Sequence, residues 1–104
     1  MSFQNDMLAQ CTGFEWDEGN TQKNWEKHEV AWEECEEIFF NQPLIVAQDL
    51  AHSLDEPRLY ALGKTDRHRR LFIAFTIREK RVRVISARDM TAKESRKYRR
   101  HERS

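Results

Sequence analysis

Leu71-Phe72-Ile73-Ala74-Phe75-Thr76-Ile77-Arg78-Glu79-Lys80-Arg81-Val82-Arg83-Val84-Ile85-Ser86-Ala87-Arg88 is the stretch that decides the fold. Its opening, Leu71 to Ile77, is apolar on both faces in the middle. Leu71, Ile73 and Phe75 point one way and Phe72 and Ala74 the other, the mark of a central strand. Glu79-Lys80 makes a tight hairpin, and Arg81 to Ala87 returns. Strict alternation puts Arg81, Arg83, Ile85 and Ala87 on one face and Val82, Val84, Ser86 and Arg88 on the other. Upstream, Thr65 to Arg69 is a basic turn. Arg58 to Lys64 reads as a strand with Arg58, Tyr60 and Leu62 on one face. His52 to Pro57 is a polar loop, and Leu44 to Gln48 is a β-rich run.

Further out the period becomes helical. Trp32, Cys35, Ile38 and Phe39 share one face of a helix from about Trp32 to Phe40, with Glu33, Glu34, Glu36 and Glu37 largely on the other. Asn41-Gln42-Pro43 stops it. Asp17 can cap an earlier helix running to about His28, whose one apolar anchor is Trp25. Phe14-Glu15-Trp16 alternates as a short strand, and residues 1–12 read as a flexible tail ahead of a domain over 13–104. At the other end Thr91 and Glu94 form a capping-box signature for a helix from about Ala92 to Glu102. The order β-α-α-β-β-β-β-α predicts an α+β fold: an antiparallel sheet with two N-terminal helices and one C-terminal helix.

The 104 residues bound the chain to one domain, and 35% charged residues leave room for only a small core. No run approaches a membrane span and the N-terminus does not read as a secretory signal, so a cytoplasmic protein with no membrane contact is expected. Cys11 and Cys35 have neither CxxC nor metal spacing, and Gly13, Gly19 and Gly63 lie in no phosphate-binding loop. His28, His52, His68 and His101 show no metal-ligand spacing. Neither a metal nor another cofactor is expected. The net charge of zero hides a dipole. Residues 1–57 hold two basic and 13 acidic side chains, a charge of −11, and residues 58–104 hold 16 basic and five acidic, a charge of +11. The basic half suits RNA, DNA or an acidic protein. Mutual pairing of the halves is the plainer account, but surface pairs contribute only about 0–1 kcal/mol each.

Within the basic half, mid-strand Arg83 is costly to bury, and Arg88 sits where the strand gives way to the last helix. Arg83, Arg88, Glu94 and Tyr98 can converge on one sheet edge. Arginines neutralise a pentavalent phosphorane, a carboxylate or imidazole takes a 2′-hydroxyl proton, and a tyrosine stacks on a base or donates to a phosphate. That set suits phosphodiester cleavage in RNA. An arginine-rich strand edge is also ordinary surface, and the last helix, with Ala92 and Tyr98 its only apolar contacts, can equally be a solvated tail.

Several motifs in order resemble one family. Phe14-Glu15-Trp16-Asp17, Asn24-Trp25-Glu26-Lys27-His28 and Trp32-Glu33-Glu34-Cys35 with Phe39 to Pro43 resemble the opening of the BrnT toxins. Arg58-Leu59-Tyr60-Ala61-Leu62-Gly63, then Arg83-Val84-Ile85-Ser86-Ala87-Arg88 followed by Glu94 and Tyr98, resemble its later strands and closing helix. The likeness covers about residues 14–98. It implies a RelE-like ribonuclease toxin of a type II toxin–antitoxin system. Such a toxin cuts RNA without a metal, inhibits translation, and is neutralised by a BrnA-type antitoxin that also binds operator DNA. An antitoxin-bridged hetero-oligomer follows.

On that reading Arg83 and Arg88 stabilise the phosphorane, and Glu94 is the first choice of general base, with His28 the second. Lys27, Arg70 and Arg81 hold the RNA backbone. Two positions depart from the family pattern. Glu29 stands where glycine is usual, a change that costs about 1 kcal/mol if the backbone is left-handed there. Ser95 stands where an arginine is usual, and Arg96 lies about 100° round the helix from it. The alternative is a catalytically weakened toxin acting as a nucleic-acid-binding or co-repressor module with its antitoxin. A third possibility is a purely structural partner protein with no RNA affinity.

Overall fold

The computed structural model describes residues 8–49 and 57–103. Along the chain run β1 (Gly13–Glu15), α1 (Glu18–His28), α2 (Trp32–Ile38), β2 (Ile45–Gln48), β3 (Arg58–Lys64), β4 (Arg70–Arg78), β5 (Arg81–Asp89) and α3 (Ala92–Glu102). This is the expected α+β order. The polar loop expected at His52 to Pro57 lies outside the described residues except for Pro57. The first seven residues of the expected tail do so too. Leu8 and Cys11 pack against the core, and the Thr12 N–H donates to the Lys80 carbonyl at 2.7 Å.

The strands form one five-stranded sheet in the order β1-β5-β4-β3-β2. The pairings β2–β3, β3–β4 and β4–β5 are antiparallel as expected. β1 adds in parallel, pairing Gly13, Phe14 and Glu15 with Arg81, Val82 and Arg83, so the sheet is mixed. Three residues do not cover a nine-residue neighbour, and α1, which follows β1 directly, runs along the open remainder of the β5 edge. There the Asn20 Nδ2 donates to the Val84 carbonyl at 3.4 Å, and the Asn24 Oδ1 accepts from the Ala87 N–H at 3.2 Å. A helix laid along a strand edge blunts pairing with other chains.

β5 departs from strict alternation. Ala74 pairs with Ser86 but Phe75 pairs with Val84, leaving Ile85 as an extra residue in a β-bulge. The bulge resets the parity that the sequence implies. Val82, Val84 and Ala87 face the core, and Arg81, Arg83, Ser86 and Arg88 share the other face. The hairpin turn at Glu79 and Lys80 is left-handed at both residues, φ 51° and 62°, which matches the twist of the flanking strands.

The core lies between α2 and one sheet face. Val30, Cys35 and Ile38 meet Leu59, Ala61, Leu71, Ile73, Phe75, Val82, Val84 and Ala87. Burying a side chain the size of Phe75, fully inaccessible here, stabilises by about 1.5–3 kcal/mol. α2 approaches β3 so closely that a Cβ on Gly63 would stand 2.9 Å from the Ile38 Cβ, which accounts for glycine at that position.

Candidate nucleic-acid interface

The face of the sheet opposite α2 carries Arg58, Tyr60, Leu62 and Lys64 from β3, Phe72, Ala74, Thr76 and Arg78 from β4, and Arg81, Arg83, Ser86 and Arg88 from β5. α3 crosses only part of it. Tyr98 is its anchor, fully buried, with its hydroxyl donating to the Pro43 carbonyl at 2.6 Å. Burial pushes that phenol up to about 12, so it stays a neutral donor. Beside the helix is a cleft of about 910 Å³ whose walls include Tyr60, Phe72, Arg88, Glu94, Lys97 and Arg100.

Arg88 and Glu94 form the firmest pair in the cleft. Nη1 donates to Oε1 at 2.7 Å and Nη2 to Oε2 at 3.0 Å, and the guanidinium lies 4.1 Å from the Phe72 ring centroid. Hydrogen bonds from Arg88 hold the Glu94 carboxyl below the usual carboxylate range, and the same bonds raise Arg88. Oε1 also accepts from the Thr91 N–H at 2.9 Å, and the Glu94 N–H donates to the Thr91 Oγ1 at 3.2 Å. The capping box read from the sequence therefore fixes the carboxylate that fixes Arg88. Oε2 is the less committed oxygen.

The remaining sequence candidates spread outward from this pair. Arg83 shares the face with Arg88, but five residues of strand separate their Cα atoms by roughly 16 Å. Arg81 is exposed at the hairpin. Arg70 donates to the Glu102 Oε1 at 2.8 Å, where Lys64 also reaches Oε2 at 3.3 Å, so both ends of α3 are tied down by acids on basic strands. Lys27 and His28 end α1 at the β5 edge on the side of Asp89, which as the neighbour of Arg88 points away from the cleft. Tyr98 turns its hydroxyl to the backbone and not to solvent. Ser95 is half-buried, and Arg96 lines the cleft despite its place on the helix.

Glu29 takes φ 53° and ψ 39°, the left-handed conformation that suits glycine, and its N–H caps α1 by donating to the Asn24 and Trp25 carbonyls. Glu29→Gly is expected to stabilise the fold by about 1 kcal/mol, read as a higher urea midpoint at unchanged slope. A lower midpoint would show that Glu29 makes a compensating contact.

Three features escape a reading of the sequence. Arg69 binds Asp89, Glu34 and the His28 and Glu29 carbonyls at once. Asn20 and Asn24 serve the bulged strand. Tyr60 and Phe72, diagonal across β3 and β4, stack at 5.5 Å and 19°. Alternation, which pairs Tyr60 with Leu62 and Phe72 with Ala74 on their strand faces, was the available signal. A separate groove of about 520 Å³ contains Trp16, Trp25 and Trp32 and lies between α1 and the acidic helix α2. Among the described residues no helix is long and apolar enough to cross a membrane.

Comparison with known proteins bears on the fold and the family. The crystal structure of the Brucella abortus ribonuclease toxin BrnT matches with a TM-score of 0.58 at 22% identity, covering 76% of this chain and 96% of that one, so the fold is shared. No curated protein matches significantly. The sequence profile of BrnT, the ribonuclease toxin of a type II toxin–antitoxin system, matches residues 16–94, from the end of β1 to the carboxylate that holds Arg88. With most of its length inside that match, the chain belongs to the BrnT family of ribonuclease toxins of type II toxin–antitoxin systems.

Proposed function

We propose that this chain cleaves RNA without a metal, by attack of a 2′-hydroxyl on the adjacent phosphate. The observation that carries the reading is the Arg88–Glu94 pair, fixed by a capping box at the mouth of a basic cleft. Arg88 turns from Glu94 to the scissile phosphate and neutralises the phosphorane. Glu94 Oε2, released by that turn, takes the 2′-hydroxyl proton. The 5′-oxygen leaves with a proton from solvent, giving a 2′,3′-cyclic phosphate and a 5′-hydroxyl. Arg83, roughly 16 Å along the strand, reaches a neighbouring phosphate more readily than the scissile one. Arg81 and Arg70 extend the basic track, and Lys27 and His28 line the β5 edge where the strand could leave. Tyr98 acts by holding α3 in place.

Cleavage of this kind inhibits translation in the cytoplasm. A BrnA-type antitoxin neutralises it in an antitoxin-bridged assembly that reaches operator DNA through the antitoxin. The test is incubation of single-stranded RNA with the purified chain in EDTA, followed by analysis of product ends. Undiminished cleavage leaving 5′-hydroxyl ends is expected. A 5′-phosphate would overturn the mechanism. RNA bound at low salt but never cut would favour the weakened toxin acting as a co-repressor, a reading to which Ser95, in place of the family's arginine, lends some weight.

A further inference from the structure

We infer that Tyr60 and Phe72 form a stacking platform for one unpaired nucleobase of the RNA, beside the Arg88–Glu94 pair. This rests on the RNA-cleaving reading and names what that site recognises. The two rings lie nearly parallel, at 19° and 5.5 Å, and both border the cleft of about 910 Å³. That is ample for a base, since small-molecule sites occupy about 300–1,000 Å³. Their floor is rigid. Tyr60 pairs in register with Ala74 and Phe72 with Leu62, and Ala74 and Leu62 are 3% and 1% exposed. An aromatic surface built on strands is ordered before the ligand arrives, so binding loses little side-chain freedom.

Cations flank the platform. Arg88 lies 4.1 Å from the Phe72 ring centroid, and Lys97 Nζ lies 6.0 Å from that of Tyr60, on a flexible stem that can move to a phosphate. Aromatic faces between cations are how single strands are held without regard to sequence, because every base has a π-face and every link a charge. A base stacked there places its own phosphate near Arg88. The other aromatic candidates fit less well. Tyr98 is buried with its hydroxyl committed, and the groove at Trp16, Trp25 and Trp32 has Glu18 and no cation among its described lining residues, so nothing there meets a phosphate.

The test uses the full chain and 2′-O-methyl RNA hexamers, which keep bases and phosphates but lack the attacking hydroxyl. The intact hexamer is compared with an abasic hexamer of the same charge at low salt. The intact form is expected to bind roughly tenfold or more tighter. Tyr60→Ala erases that difference and Tyr60→Phe restores it. A 2-aminopurine placed in the hexamer is quenched on binding to the wild type and less so with Tyr60→Ala. Equal affinity for the two hexamers, or a difference that survives Tyr60→Ala, overturns the platform while leaving RNA binding intact. Failure to bind either hexamer overturns the RNA-cleaving reading, and the platform with it.

Discussion

Arg88→Ala is expected to slow RNA cleavage by about 10²–10³-fold, the usual effect of removing one preorganised donor from a developing oxyanion. The fold survives, because the pair with Glu94 is partly exposed, 34% at the arginine side chain and 23% at the glutamate. Pairs so placed contribute on the order of 0–1 kcal/mol. The capping box is untouched, since Thr91 and Glu94 make it without Arg88. Arg88→Lys keeps the charge but loses the two-pronged geometry and the planar contact with Phe72, so RNA binding at low salt persists while the rate falls. Glu94→Gln separates two roles of the carboxylate. Glutamine can still cap the helix and accept one hydrogen bond from Arg88, but it cannot take a proton. If Glu94 is the base, this variant loses the rate. If Glu94 only aims Arg88, much of the rate remains. The sign of the pH effect follows from the lowered carboxyl of Glu94. The group is ionised throughout the neutral range, so activity is level there and declines only as pH falls below the ordinary carboxylate value of about 4. Wild-type cleavage rates in Arg88→Ala would move the chemistry elsewhere on the molecule.

The parts of this arrangement that depend on local pattern were legible in the sequence. Leu71 to Ile77 is a central strand because both its faces are apolar, and the neighbours on both sides bury it. The capping box at Thr91 and Glu94 is a contact between near neighbours, so its spacing alone reveals it. Arg83 and Arg88 were a harder case. Alternation separates them, and they share a face only because Ile85 bulges. No residue at Ile85 announces a bulge. The backbone groups on either side of it, at Val84 and Ala87, meet Asn20 and Asn24, some sixty residues earlier. The parallel addition of β1 is non-local in the same way. Tyr98 looked available for RNA because α3 reads as polar almost all round. Its burial depends on a carbonyl at Pro43, contributed by the loop before β2. The platform at Tyr60 and Phe72 needs the register of two strands, which hydrophobic pattern leaves open to choice until the pairing is known.

The same non-local logic gives Arg69, a polar side chain outside the core, a large part in stability. It lies at the end of the basic turn before β4 and carries no motif, yet it holds three elements together. Nε and Nη2 grip the Asp89 carboxylate at 2.7 and 3.2 Å, tying the turn to β5. Nη1 reaches Glu34 of α2 at 3.1 Å and the Glu29 carbonyl at 2.8 Å, and Nη2 reaches the His28 carbonyl at 3.0 Å. Carbonyls at a helix end otherwise lack partners, and a cation there also meets the negative end of the helix dipole. Arg69→Ala is therefore expected to cost about 3 kcal/mol, taking the lower range for hydrogen bonds to a charged group because the side chain is 28% exposed. For a domain of this size that lowers the melting temperature by roughly 15 °C. Arg69→Lys recovers less than half, since a point charge cannot bridge all four acceptors. pH gives an independent check. Hydrogen bonds from Arg69 hold the Asp89 carboxyl below its ordinary value. Its stabilising contribution is present above the unfolded value of about 4 and is lost as pH falls through the lower folded value. The gap in stability between wild type and Arg69→Ala should accordingly narrow in urea titrations at pH 3 relative to pH 7. A gap of the same size at both would mean that Asp89 is incidental and that the helix carbonyls with Glu34 account for the effect. A gap near zero at pH 7 would mean that the turn holds its shape without the guanidinium.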